Sequence, residues 1–250
     1  MRALSASDIL YAWEVGQQKH PVDRGLLLLA LVLPAFSPAL LSSLTIGQRN
    51  RQLLLLRQKT LGTAAKCFAR CPYCGEKLEF NLDLSAMVSS EAEALAEPGQ
   101  VVERMHTLSV DRFTLSFRVP TSSDLASVVR AGDAQAGSRL LVERCVVQAM
   151  QDGQSVSVED LPENVLRALS EAVIEHDPLA EIECALVCPE CQQHWTTLFD
   201  IVSFFWTELD ALAKRLLRDV HTIASAYGWR ESDILALSAA RRQFYLELIH

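Results

Sequence analysis

The segments CPYCG (residues 71–75) and CPEC (residues 188–191) decide the fold of this chain. Each is a Cys-Pro-x-Cys turn followed by a strand-like run. Together they supply four thiolates, which is the ligand set of a closed, tetrahedral structural zinc site. A single Cys-x-x-Cys can be a chance pair or a redox pair, but two of them with internal prolines favour zinc. The sequence therefore predicts one Zn²⁺ ion bound by Cys71, Cys74, Cys188 and Cys191.

The two segments also look like copies of each other. Cys67 and Cys184 lie at the same spacing before the two turns, and the following runs have matching apolar positions, such as Leu82 and Phe199. We interpret them as halves of one pseudo-symmetric unit, a zinc ribbon split by a long connecting segment. Cys67 and Cys184 are expected to be small buried hydrophobic side chains beside the metal site, and no further role is assigned to them.

Composition limits the classes of function. The chain has 250 residues, half of them hydrophobic, which is enough for one large domain or two small ones. Its net charge of −8 disfavours binding to a phosphate backbone. Seven cysteines, four of them in metal-like spacing, indicate a reducing compartment rather than a disulfide framework. Residues 1–14 contain no uninterrupted apolar run, so we expect no signal peptide.

Residues 25–44 carry no charge and are long enough to cross a bilayer. Pro34 and Pro38 interrupt this stretch, and proline inside a helix removes a backbone hydrogen bond and clashes with the preceding turn. We therefore expect a buried helix that ends near Leu33, a proline turn and a second short helix, and no membrane span.

Hydrophobic periodicity divides the chain into parts. We expect a helical N-terminal part (1–66), a split zinc ribbon (67–85 and 180–202), an inserted lobe (86–179) and a C-terminal helical region (203–250). The predicted fold class is α+β, mainly helical, with a split zinc ribbon and an inserted β-hairpin-plus-helices lobe.

Within the lobe, residues 89–100 are polar and rich in alanine and glutamate, which predicts a linker. Apolar and polar residues alternate over residues 113–119, which predicts a half-buried strand. This strand is expected to form a hairpin with residues 101–110, turning near Asp111.

Helical periodicity predicts three longer helices, at about Gln135–Gln151, Pro162–Glu175 and Ser203–Tyr227. The last has the most regular amphipathic stripe in the chain and is expected to end at Gly228.

A different interpretation of the cysteines is an enzyme. Cys67, Cys71 and Cys74 fit the three-cysteine pattern of radical S-adenosylmethionine enzymes, in which thiolates hold an iron–sulfur cluster. However, the repeated βα units and glycine-rich strand end of such enzymes are missing, and the second cysteine segment would have no role. The sequence also shows no local signature of a nucleophile triad, a phosphate-binding loop or His-Glu-x-x-His. We expect a non-enzymatic protein without a small-molecule substrate, with the radical enzyme as a remote alternative.

Several stretches resemble a known family: CPYCGEKLEF (71–80), FTLSFRVPTSSDL (113–125), CPECQQHWTTLFDIVSFFW (188–206) and the C-terminal residues 215–249. Their order is similar to that in the baseplate-hub proteins of contractile-tailed phages and contractile injection systems, and the resemblance covers nearly the whole chain. Cys67 and Cys184 are not part of the family's pattern, and Gln192 stands where that pattern often has glycine.

The resemblance implies a structural hub or baseplate subunit, or a chaperone that helps to load one. Other baseplate or hub subunits would be the partners, and the protein would be in the cytoplasm during assembly, with its presence in the finished particle left open. The alternative is a zinc-ribbon nucleic-acid-binding protein, since short basic pairs such as Arg241-Arg242 occur in such proteins. Duplex binding that falls steeply with salt would favour this alternative.

Overall fold

The computed structural model describes residues 1–88, 104–129 and 133–249. In these ranges the chain forms helices and small antiparallel sheets, which confirms the predicted α+β class. The predicted linker over residues 89–100 lies outside the described residues, as do residues 101–103 of the predicted hairpin.

The N-terminal part is helical up to Leu61, whereas residues 64–66, which were predicted to belong to it, lie in a strand. It contains α1 (Ala6–Gly16), α2 (Pro21–Val32), α3 (Pro38–Ser42) and α4 (Ile46–Leu61). Capping boxes at Ser5 and Thr45 start α1 and α4, because each side chain accepts a hydrogen bond from a first-turn backbone N–H. The uncharged stretch 25–44 is divided between α2 and α3. Among the helices of the described ranges, none is long and apolar enough to cross a membrane.

The first cysteine segment joins β1 (Ala64–Arg70) to β2 (Lys77–Asp83), which pair in an antiparallel hairpin followed by α5 (Leu84–Val88). Inward residues of β1 such as Ala65 and Cys67 are buried, and their neighbours alternate to solvent. This alternation gives the hairpin one inner and one outer face.

A four-stranded antiparallel sheet with helices forms the sheet lobe, whose described residues are 104–129 and 133–176. In chain order its elements are β3 (His106–Val110), β4 (Phe113–Phe117), α6 (Ser122–Val128), α7 (Ala134–Cys145), β5 (Val146–Gln151), β6 (Gln154–Ser155) and α8 (Glu163–His176). The sheet order is β3-β4-β5-β6. The predicted turn at Asp111 is confirmed, with a left-handed φ of 51° at that residue.

The predicted helix Gln135–Gln151 is wrong in its last part. It ends at Cys145, and Val146–Gln151 form β5, in which Ala149 lies opposite Leu115 of β4. Apolar residues at 146, 149 and 150 fit a helical stripe and do not alternate as in a regular strand. A bulge in the pairing with β4, between Ser116 and Phe117, lets Val146 and Ala149 both lie in the core of the lobe. The backbone ladder and this burial together stabilise the strand over the helix.

The second cysteine segment joins β7 (Glu183–Val187) to β8 (His194–Leu198), again an antiparallel hairpin. The chain then forms α9 (Ile201–Tyr227), α10 (Glu231–Ala236) and α11 (Ala239–Glu247). The long predicted helix is confirmed. It is capped by Asp200, whose side chain accepts from the Val202 N–H, and it ends at Gly228 with φ of 68°.

In the described residues, the helical body and the sheet lobe have separate apolar cores. The helical body (residues 1–63 and 199–249) packs α1, α2 and α4 around α9, with Leu28, Leu53 and Phe205 fully buried. The sheet lobe packs α8 on its sheet around Phe117 and Val165. The two cysteine hairpins lie between these parts in sequence, where the chain leaves the body and returns to it.

Candidate metal centre

The tips of the two hairpins meet, and they bring together the four cysteines that the sequence predicts as ligands. All four Sγ atoms lie within 4.8 Å of one another. Cys71 Sγ is 3.6 Å from Cys191 Sγ, and Cys74 Sγ is 3.5 Å from Cys188 Sγ. A tetrahedral site with Zn–S bonds of about 2.3 Å separates its sulfur atoms by about 3.8 Å. The number, type and spacing of these donors therefore fit an ion of this size.

The same backbone hydrogen bonds build both turns. In the first, the Cys71 N–H donates to the Glu76 carbonyl (2.8 Å), and the Gly75 N–H donates to the Cys71 carbonyl (3.0 Å). The equivalent bonds around Cys188 in the second turn are both 3.0 Å. The backbone hydrogen bonds thus set the spacing within each cysteine pair.

Gln192 occupies the position that Gly75 has in the first turn, and both are left-handed, with φ of 57° and 79°. A residue other than glycine in this conformation costs roughly 1–2 kcal/mol. The Gln192 side chain offsets part of this cost by donating from Nε2 to the Pro189 carbonyl at 2.9 Å. The glutamine therefore leaves the geometry of the second turn unchanged.

Strand pairing repeats between the hairpins as well. Cys67 lies opposite Phe80 in the first, and Cys184 lies opposite Thr197, the matching pair, in the second. Both cysteines are buried at equivalent inner-face positions, and burial raises the pKa of each thiol. In the described part of the chain, neither belongs to the four-cysteine cluster.

The position of Cys67 bears on the iron–sulfur alternative. That pattern needs Cys67 beside Cys71 and Cys74, whereas the sulfur atoms that join these two come from the second hairpin. Leu78 and Trp195, also equivalent by position, pack against the buried cysteines. The centre is therefore enclosed on its inner side by apolar side chains from both halves.

Two thiols of the cluster, those of Cys71 and Cys74, differ in pKa. Burial raises the pKa of Cys71, but hydrogen bonds from the backbone of Cys74 and Tyr73 and from neighbouring thiols outweigh it and lower the pKa to about 7. A backbone hydrogen bond from Glu76 lowers the pKa of Cys74, yet burial and the adjacent sulfur atoms raise it to about 12. Because thiolates this close repel one another, a bound cation is required for all four to lose their protons.

A second feature, which the sequence did not predict, joins the end of the sheet lobe to the helical body. The Asp177 carboxylate accepts hydrogen bonds from the Gly47 N–H (2.8 Å) and the Thr45 hydroxyl (3.1 Å) at the start of α4. A Cβ atom at Gly47 would collide with this carboxylate. A cap supplied from so far along the chain leaves no local sequence pattern, so only the absence of a side chain at Gly47 hinted at a close approach.

A family model described as T4 bacteriophage base plate protein matches residues 31–206. The matched range contains both cysteine turns, the sheet lobe and the start of α9. Comparisons with curated proteins and with solved structures gave no match.

Proposed function

This chain belongs to the family of T4 bacteriophage base plate proteins, and from this premise we propose that it is a non-enzymatic component, or an assembly chaperone, of a baseplate hub. The observation that carries the proposal is the extent of the match, which runs through both cysteine turns and the whole sheet lobe. Membership of this family implies association with other baseplate subunits, and we place the protein in the cytoplasm during assembly.

We further propose that one structural zinc ion, bound by Cys71, Cys74, Cys188 and Cys191, is the staple of this component. The close approach of the four sulfur atoms supports it. In this proposal residues 67–85 and 180–202 form one ribbon, and residues 86–179 are an insertion whose two ends the ion ties together. The binding energy of the ion then becomes folding energy, because the unfolded chain has no preformed site.

The function is tested in cells that assemble the particle. A tagged copy of the protein is expected to co-purify with baseplate subunits, and gradient fractionation distinguishes a lasting component, found in finished baseplates, from a chaperone, found only in smaller intermediates. A protein found in neither fraction would contradict the proposal. For the nucleic-acid alternative, duplex DNA binding is measured at low and high salt, and binding that falls steeply with salt would favour it.

A further inference from the structure

The two cysteine hairpins can be compared with each other, because they have the same backbone arrangement but different side chains on their outer faces. The first outer face consists of Lys66, Phe68, Arg70, Lys77, Glu79 and Asn81. The equivalent positions of the second are Glu183, Ala185, Val187, His194, Thr196 and Leu198. All of these residues are exposed. Because the two hairpins share one backbone fold, differences between their exposed side chains are not required by that fold.

Charge is the first difference. The first face carries three cations and one acid in a chain of net charge −8, whereas the second has one acid and neither lysine nor arginine. Lys66 is paired with Glu79 at 2.6 Å. Arg70 and Lys77 lie directly opposite each other across the strands, a like-charge arrangement that destabilises a hairpin.

The cations at Arg70 and Lys77 are not explained by the adjacent thiolates. Both turns would share the negative charge of a tetrathiolate centre, yet the second turn has Val187 and His194 at the matching positions. Within the described residues, neither Arg70 nor Lys77 forms an ion pair. An anionic group from outside would remove their repulsion.

Exposed aromatic area is the second difference. Phe68 lies in the middle of the first face and is 72% exposed, where the second face has Ala185. Tyr73, in the first turn, is 63% exposed, where the second turn has Glu190. Aromatic side chains and arginine, such as Phe68, Tyr73 and Arg70 here, are enriched among the residues that carry protein–protein binding energy.

We propose that the outer face of the first hairpin docks an acidic segment of another baseplate subunit, with an apolar side chain of that segment against Phe68 and its carboxylates near Arg70 and Lys77. This inference rests on the proposed function and names the contact surface. A protein partner fits better than nucleic acid. Duplex binding typically takes several phosphate contacts, whereas this face has two cations without an acid partner and carries Glu79 among them.

The test places a photo-cross-linking amino acid at position 68, and at position 185 as the matched control, in cells that assemble the particle. Cross-linked peptides are identified by mass spectrometry. Position 68 is expected to join an acidic peptide of another baseplate subunit, and position 185 is expected not to.

Charge reversal then tests the electrostatic part. Arg70→Glu with Lys77→Glu is expected to reduce the cross-link at position 68 by about tenfold or more, because opposite charges become like charges. Val187→Glu with His194→Glu adds acids at the equivalent positions of the second hairpin and is expected to leave the yield unchanged. Metal analysis of each variant checks that the centre is intact.

The outcomes separate the two proposals. A cross-link from position 68 to nucleic acid, to a second copy of this chain or to a segment without acidic residues would overturn the docking proposal. So would an unchanged yield after charge reversal, or no cross-link in a protein that still enters baseplates. If the wild-type protein associates with no baseplate subunit, the proposed function fails and the docking proposal fails with it.

Discussion

The helical body and the sheet lobe each have their own apolar core, but polar groups connect them. Leu28 and Phe205 lie in the core of the body, and Phe117 lies in that of the lobe, and the two cores do not merge in the described residues. At the junction, the Ile46 N–H donates to the Pro120 carbonyl (3.1 Å) and the Ser122 N–H donates to the Leu44 carbonyl (3.2 Å).

Two segments of the lobe attach at one place. Residues 120–122, between β4 and α6, and Asp177, directly after α8, contact residues 44–47 around the start of α4. Asn50, one turn further along, donates from Nδ2 to the Leu179 carbonyl at 2.8 Å. The comparison teaches that packing stabilises each part, while a small set of directional bonds and the cysteine centre position one part on the other.

Loss of the metal is expected to have the largest effect on this arrangement. Cys71→Ser with Cys188→Ser should abolish metal binding and lower the melting temperature by about 10 °C or more, since structural zinc contributes folding energy directly. Metal analysis should give about one equivalent of zinc for the wild type. Proteolysis should become faster in the lobe than in the helical body.

The buried cysteines outside the cluster supply the control. Cys67→Ala with Cys184→Ala changes the same hairpins at equivalent positions and should keep the metal. Three results would contradict the proposed structural zinc ion: iron in the wild-type protein, no metal at all, or an unchanged melting curve after confirmed metal removal.

The second-largest loss of stability is expected at the buried ion cluster of the lobe. Asp124 is fully buried and accepts hydrogen bonds from Arg118 (2.6 Å) and Arg144 (2.7 Å). Asp124→Ala leaves these cations without their shared partner and should cost about 3–5 kcal/mol. Arg112→Ala removes an exposed pair with Asp152 in the same lobe, leaves the left-handed Asp152 unchanged, and should cost less than about 1 kcal/mol. Denaturant unfolding measures both, and equal costs would contradict the expectation.

Acid should affect the same cluster. Burial raises the pKa of Asp124, but hydrogen bonds from Arg118, Thr121 and Arg144 outweigh it and hold the pKa well below its usual range. A carboxylate with a lowered pKa contributes its full stabilisation above about pH 4, and this is lost as the pH falls towards the folded-state value. The difference in stability between wild type and Asp124→Ala should therefore shrink in acid, and a constant difference would argue against the ion cluster.

The smallest expected effect is at the junction. Asp177→Ala removes the bonds to Gly47 and Thr45 and should cost about 1–3 kcal/mol. Asp177→Asn keeps an acceptor oxygen and should cost less. Hydrogen exchange should show faster exchange of the Gly47 amide in Asp177→Ala while protection in α9 is unchanged. Loss of protection throughout the body would mean that the junction is part of the body's core.

Local patterns predicted local structure well. The strand-like runs after the two Cys-Pro-x-Cys turns predicted β2 and β8, and the apolar stripe predicted α9, whereas β1, the first strand of the first hairpin, was not predicted. The strand β5 was missed, because Val146 and Ala149 have a helical spacing, and only the bulge in the pairing with β4 buries both in the core of the lobe. Convergence of the four cysteines was predicted because thiolates in this spacing imply a common ion.

The long-range polar contacts could not be predicted from the sequence. Thr121 and Asp124 predicted a helix start, which the capping box confirms, but nothing indicated that Arg144 would share the carboxylate. Asp177 acts as a cap for a helix in a different part of the chain, so its role depends on the folded arrangement alone. Such contacts have no periodicity and no fixed spacing.

The separation of the two cysteine pairs also orders events during synthesis. Cys74 and Cys188 are 114 residues apart. At a translation rate of about 5–20 residues per second, the second pair leaves the ribosome on the order of ten seconds after the first. During that interval only two of the four predicted ligands, Cys71 and Cys74, are available to an ion. The four-cysteine cluster can therefore form only after synthesis of the lobe, and binding of the proposed zinc ion would then join the two halves of the chain.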